Sequence, residues 1–128
     1  MIDKNLSDFL PDKKASYSKE FNNVNIDFKI TKELVIDELK KVMDPEIPVN
    51  LYDLGLIYNV EVDLLNNVSI DMTLTNPNCP VAGTMPNTVG LAVEKIANLS
   101  SIKVSLVWHP KWNKDLMSED AKLALDIF

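Results

Sequence analysis

One cysteine and one histidine stand in this chain of 128 residues, so Cys79 and His109 carry whatever thiol and imidazole chemistry it has. A thiol attacks or binds metal as its thiolate. Pro80 favours the first position of a helix, which makes Cys79 the expected N-cap. There the helix dipole and free N–H groups would lower the thiol pKa. The opposing reading is a buried, inert thiol, a common state for free cysteine. Thr75, Asn78 and Pro80 mark an exposed turn and favour the reactive one. His109 could serve Cys79 as a base, or simply close a strand before Pro110. No oxyanion-hole signature or third orienting group accompanies the pair. Asp44, Glu46 and Asp53 fall in one loop. Their carboxylates could ligate iron or hold the loop backbone; the second suits Asp44 and Asp53, because Asp commonly closes turns, and leaves Glu46 open. Trp112, in the loop after Pro110, could roof a site or meet a partner, whereas Trp108 belongs in the core.

The composition narrows the partners. With 13 Lys, 19 Asp plus Glu and no Arg, the net charge is −6. A nucleic-acid binder needs a basic face to release counterions, and arginine is the best tool for bidentate phosphate or guanine recognition. Nucleic acid and anionic membrane are therefore poor partners. A single cysteine allows no intrachain disulfide, and one Cys with one His builds no closed tetrahedral zinc site. No apolar run is long enough to span a bilayer, and MIDKNLSDFLPDKK lacks the pattern of a secretory signal. The expected protein is soluble, reduced and cytoplasmic.

These residues need elements to position them. Residues 1–29 are polar without a sustained period and read as a flexible arm, with at most a helical turn around Leu6 to Leu10. Thr31 suits an N-cap, and Ile30 could staple against Val35. Leu34, Val35, Leu39, Val42 and Met43 keep a helical spacing that Asp44-Pro45 ends. A loop over 44–56 follows. Leu56 to Leu64 and Val68 to Leu74 alternate as two strands joined by an Asn66-Asn67 turn, an antiparallel hairpin. Met85, Val89, Val93 and Ile96 line a helix, Ile102 to Trp108 form a third strand, and Ser118 caps a last helix. The predicted fold is α+β in the order αββαβα. A three-stranded mixed sheet, hairpin plus one parallel strand by a helical crossover, carries helices mainly on one face.

That topology gathers three segments at one end of the sheet: the Asp44 to Gly55 loop, the Thr75 to Pro80 loop, and His109 to Trp112. They hold the Cys, the His and the acidic loop. A site is expected there.

DPEIPVNLYDLGLIYNV, DMTLTNPNCPVAG and LVWHPKWNKDLMSEDAKLALDIF, in this order, resemble the SufT/PaaD-like family of small iron–sulfur assembly proteins, whose eukaryotic relatives act in cytosolic iron–sulfur targeting. The resemblance covers about residues 31–128. It implies an α+β fold and a role in maturing iron–sulfur proteins, with the SUF machinery or on client apo-proteins. The family's single motif cysteine maps onto Cys79 and its acidic loop onto Asp44, Glu46 and Asp53. Thr73 and Thr75 match the polar strand end that leads to the cysteine. Where relatives often carry Asp-Pro-Pro-Trp-Thr, this chain has His109-Pro110-Lys111-Trp112-Asn113. The departure removes an acidic residue at 109 and keeps Trp112.

One thiolate cannot hold a cluster alone, since common clusters need about four ligands. No stably bound cofactor is expected; Cys79 would touch iron or a cluster transiently. The other ligands would come from a second protomer, a partner, a small thiol or the carboxylates. A homodimer pairing two Cys79 residues would be one such arrangement. The reading is an assembly or targeting factor rather than an enzyme, and its acidic surface suits partners with a basic docking patch. The alternatives are a PaaD-like accessory to a multicomponent oxygenase, a small cysteine enzyme using Cys79 and His109, and a pure interaction module.

Overall fold

A computed structural model describes residues 14–22, 24–44, 48–75 and 84–126. Its elements run β1 (Lys14–Glu20), α1 (Lys32–Leu39), β2 (Ile57–Val62), β3 (Asn67–Met72), α2 (Met85–Val93), β4 (Ser101–Leu106), a 3-10 turn (Lys114–Leu116) and α3 (Glu119–Asp126).

The sheet has four strands in the order β1-β4-β3-β2, not three. The extra strand is Lys14–Glu20, from the segment whose polarity reads as a free arm. β1 runs antiparallel to β4, with Tyr17 opposite Val104 and Lys19 opposite Ile102. An edge strand packs on one neighbour only, so a single ring on its inner face can anchor it without a run of apolar residues. The following residues are tied down as well: the Phe21 N–H donates to the Ser100 carbonyl at 2.9 Å, and that of Asn25 donates to Asn98 Oδ1 at 3.2 Å. The turn expected around Leu6 to Leu10 lies outside the described residues.

The rest of the sheet follows its predicted alternation, except that the hairpin turns at Leu64 and Leu65 rather than at Asn66-Asn67: β2 ends at Val62, leaving Leu64 exposed, and Asn67 already pairs in β3. β3 pairs antiparallel with β2 and parallel with β4. Val60, Val68, Ile70, Met72, Ile102 and Val104 point into one core, while Asn59, Glu61, Ser69 and Lys103 stay exposed on the polar face. On the covered face, α1 packs against β2 and α2, and α2 packs against β4 and β1. Thr31 caps α1, its Oγ1 accepting from the Leu34 N–H at 3.2 Å. The helix ends sooner than its apolar spacing suggests. After Leu39 the N–H groups of Lys41 and Val42 reach back only three residues, to Glu38 and Leu39. Met43 leaves the helix and bridges to Asn50 instead. α2 also starts late. Its N-cap is Thr84, with Pro86 in the first turn, so the helix terminus expected at Cys79 lies further along the chain. Among the described residues no helix is long and apolar enough to cross a membrane.

β1 and α2 fit closely. The Tyr17 hydroxyl donates to Glu94, which also holds Lys19 Nζ at 3.2 Å. A Cβ added at Gly90 would overlap Cδ2 and Cε2 of the Tyr17 ring. Two opposite effects then compete in Gly90→Ala. Alanine is favoured over glycine inside a helix by about 1 kcal/mol; overpacking costs about 1–3 kcal/mol. With the ring pinned by Glu94, the overlap wins. Gly90→Ala should lower the urea midpoint by a net ~1 kcal/mol equivalent. In a Tyr17→Ala background the same change should become stabilising. A lower midpoint in both backgrounds would reject the account.

Candidate functional site

Strand registers bring the expected segments together. Ile57 at the start of β2 lies opposite Met72 at the end of β3, and Met72 lies beside Leu106 at the end of β4. The pairing continues past the strands: the Thr73 N–H donates to the Leu56 carbonyl, and that of Val107 to the Met72 carbonyl, each at 2.8 Å. One end of the sheet thus carries Gly55, Thr73 to Thr75 and Val107 to Trp112.

The acidic loop is a self-closed turn. Asn50 does the closing: its Oδ1 accepts from the Asp53 N–H and its amide donates to Asp53 Oδ2, both at 2.8 Å. Leu51, Leu54 and Leu56 plug the turn into the core. Gly55 then reverses the chain at φ +80°, a conformation that costs a side chain and suits glycine. Asp53 therefore has the loop-holding role its residue type favours. Asp44 is half-buried at the other end of this loop, with its N–H on the Val49 carbonyl at 3.1 Å.

The C-terminal segment clasps that turn from outside. Trp112 Nε1 donates to the Leu54 carbonyl at 2.7 Å. The Ser118 N–H donates to the Asp53 carbonyl at 2.8 Å. The Ser118 hydroxyl meanwhile accepts from the Ala121 N–H at 3.1 Å, capping α3 as its residue type predicts. Trp112 is thus a half-buried fastener. The Tyr58 hydroxyl donates to the Pro110 carbonyl at 2.7 Å. Burial pushes the Tyr58 phenol pKa up, which keeps it a neutral donor. Tyr52, Asp53, Gly55, Ile57, Tyr58, Leu116 and Ser118 line an open cleft of ≈ 370 Å³ at this end.

The other candidates separate clearly. Thr73 is fully buried, and its position serves packing. Thr75 and His109 are exposed, and the His109–Pro110 peptide is cis. Trp108 packs against the core, as expected. Glu46 and Cys79 lie outside the described residues, Cys79 within the span between exposed Thr75 and Thr84. Among the described residues no group of three or more His, Cys, Asp or Glu side chains is placed to hold a metal ion. Tyr58 and Ser118 escape a sequence reading as members of this end of the molecule, and Asn50, inside the expected loop, escapes it as the residue that closes the turn. Asn50 three residues before Asp53 is a turn-closing signal that could have been found. Tyr58 reads only as one more strand residue.

Comparison with known proteins gives this arrangement a family. Residues 32–106 match the family model described as iron–sulfur cluster assembly protein. An Fe-S protein maturation auxiliary factor of Porphyromonas gingivalis is 48% identical over 102 residues, 80% of this chain and 97% of that protein. The Fe-S protein maturation auxiliary factor SufT of Staphylococcus aureus is 38% identical over 67% of this chain and 98% of its own length. Among solved structures, a domain of unknown function from Bacillus anthracis superposes with a TM-score of 0.72 at 38% identity, covering 76% of this chain and 92% of that one. A conserved hypothetical protein from Thermotoga maritima superposes with a TM-score of 0.67 at 36% identity, covering 76% and 95%. With residues 32–106, more than half its length, matched, the chain belongs to the iron–sulfur cluster assembly protein family.

Proposed function

We propose that this protein is an iron–sulfur protein maturation factor, and that Cys79 makes a transient contact with iron or a cluster on its way to a client apo-protein. The observation that carries the reading is that one end of the sheet brings together the acidic-loop turn, the strand end Thr73 to Thr75 that precedes the Cys79 segment, and the C-terminal segment, with Trp112 and Ser118 fastened to the turn that Asn50 closes. The names of the relatives support the maturation role and do not favour an oxygenase accessory or a cysteine enzyme. The cluster is cargo here. Because one thiolate supplies only one of about four ligands, the rest come from the client, an assembly protein such as a SUF component, a small thiol, or a second copy. A single thiolate contact makes the hold weak, which is what a transfer step needs. The role is non-enzymatic: the protein delivers or positions, and the partner receives.

The test is the activity of a client enzyme with a labile four-iron cluster, in cells lacking this protein and complemented with wild type or Cys79→Ala. Client activity should fall without the protein, recover with wild type and stay low with Cys79→Ala. Client protein level should not change, and chemical reconstitution of the cluster should restore activity in every extract. Recovery with Cys79→Ala would remove the thiolate step. An unaffected client in the deletion strain under iron limitation would remove the maturation role itself.

A further inference from the structure

β2 is an outer strand of the sheet, whose order is β1-β4-β3-β2. The Asp63 N–H donates to the Asn67 carbonyl at 3.0 Å, so these two residues form a hydrogen-bonded pair of the hairpin. Such pairs alternate along an antiparallel ladder, so Val60 and Val62 turn their N–H and carbonyl groups outward. Among the described residues no strand and no backbone group meets them there. The two sheet edges are unequally guarded. Lysine discourages pairing at an edge; β1 carries Lys14 and Lys19, whereas β2 has neither lysine nor proline. The β2 bulge lies at Ile57–Asn59 and leaves Val60 and Val62 clear.

The ground beside this edge differs on its two sides. On the helix side, Ile36, Tyr52, Ile57 and Val60 shape a hollow of ≈ 100 Å³ with Lys32 among its walls. Lys40 stands 5.4 Å from the centre of the Tyr52 ring. The hollow shares Tyr52, Ile57 and Tyr58 with the cleft at the end of the sheet that carries Gly55. On the polar side stand Glu61, Asp63 and half-buried Asp71, with Lys103 two strands in from the edge. The Asn67 N–H holds the Asp63 carboxyl below the usual carboxylate range, so it keeps its charge.

We propose that the β2 edge takes up an extended segment of a client apo-protein as an added strand, its basic residues on the acidic side and its apolar residues on the helix side. The inference rests on the maturation reading and names the docking surface for its client. Outward N–H and carbonyl groups in a row are satisfied in register by another extended chain. Alternate side chains of that chain fall on opposite sides, which matches the two kinds of ground. Charge selects a client over a second copy. An antiparallel β2–β2 pair centred on Glu61 sets Glu61 against itself, and one centred on Val62 sets it against Asp63; like charges directly opposite are destabilising. A pair centred on Val60 runs across the bulge. Each copy also carries a net charge of −6.

The experiment titrates the isotope-labelled full-length chain with the blocked peptide Lys-Val-Lys-Val-Lys-Val-Lys-Val, read by NMR. The Val60 and Val62 amides should shift, and at saturation exchange with solvent about tenfold more slowly. The same peptide with Glu in place of Lys should bind about tenfold more weakly. Glu61→Lys should weaken the lysine peptide about fivefold, and Asp27→Lys, an equal change of charge before α1, less than about twofold. Val62→Pro removes an outward N–H and no ladder bond; it should abolish binding with the β3 and β4 amides unshifted. If Val62→Pro fails to fold, Glu61→Lys decides. In cells, both variants keep Cys79 and should restore client activity poorly. An absence of peptide binding, or shifts that spare Val60 and Val62, overturns the edge assignment. Full client recovery with Glu61→Lys overturns it too, while the maturation reading stands or falls on the deletion strain alone. Slowed exchange that grows with protein concentration without peptide assigns the edge to a second copy and overturns the client assignment.

Discussion

Gly55→Ala should cost about 3 kcal/mol of folding stability, combining the left-handed backbone penalty with overlap against a neighbouring main chain. Gly55 sits at φ +80°, and a Cβ there would lie 2.7 Å from the Leu116 carbonyl carbon and 2.8 Å from Leu116 Cβ, and overlap the carbonyl oxygen. The collision is mostly with backbone, so it cannot be relieved by a rotamer change. The chain over Lys114–Leu116 must retreat, and with it go the Ser118 N–H on the Asp53 carbonyl and the Trp112 indole on the Leu54 carbonyl. Urea unfolding should show the lowered midpoint with little change in slope. Tryptophan emission should shift in the folded state, because Trp112 loses its burial. Adding Leu116→Gly, which removes the Leu116 Cβ, should restore little, since the offending carbonyl remains. A full rescue by Leu116→Gly would show that side-chain crowding was the cause. In cells, the variant should mature clients poorly even at temperatures where it stays folded, because the clasp holds the end of the sheet that carries the motif loops.

Asn66→Ala is expected to be as severe at the opposite end, with a loss of about 4 kcal/mol from three hydrogen bonds and a strained backbone. Asn66 is fully buried at φ 63°. Its Oδ1 accepts from the Ile30 N–H at 3.0 Å, and its amide donates to the Phe28 carbonyl at 2.7 Å and the Asn98 carbonyl at 3.0 Å. One side chain thus joins the entry to α1, the β2–β3 hairpin and the turn before β4. Alanine would leave a buried donor and two acceptors without partners. Asn66→Gly separates the two contributions: it relieves the backbone but not the hydrogen bonds, and should recover about 1 kcal/mol. Asn66→Asp keeps the acceptor for Ile30 but turns its second oxygen toward two carbonyls, so it should be at least as damaging at neutral pH. Acid should partly rescue it, since the protonated acid can donate to one of those carbonyls; its folded-state pKa is raised, so the rescue grows as pH falls through it. An Asn66→Ala midpoint within about 1 kcal/mol of wild type would reject the hub role. The folded fraction should keep its maturation activity per molecule, in contrast to Gly55→Ala.

Much of the architecture is written in local patterns. The clean period of two at Val68, Ile70 and Met72 can bury one face only as a strand, and Asn66 tolerates the positive φ that the hairpin requires. Thr31 and Ser118 cap their helices because a short hydroxyl side chain can reach the free N–H groups of a first turn. Once a helical crossover joins two parallel strands and a hairpin precedes them, the meeting of three loops at one sheet end is a matter of topology. The family was legible for the same reason: its motifs lie in those loops.

What the sequence by itself determined was therefore the set of core elements, their order and the end of the sheet where Gly55, Thr73 to Thr75 and Val107 to Trp112 meet. The tertiary structure alone decided β1, whose KASYSKE carries no apolar alternation and becomes a strand because β4 offers it an edge. It also decided that α2 starts at Met85 and α1 stops at Leu39, boundaries set by packing rather than by apolar spacing. The same holds for the partners of Asn66, Trp112 and Tyr58, each a carbonyl distant in the chain. The physical reason is common to all of these. Periodicity and capping are satisfied within a few residues, whereas an edge pairing or a side-chain bond to a remote carbonyl exists only after the chain has brought the two together.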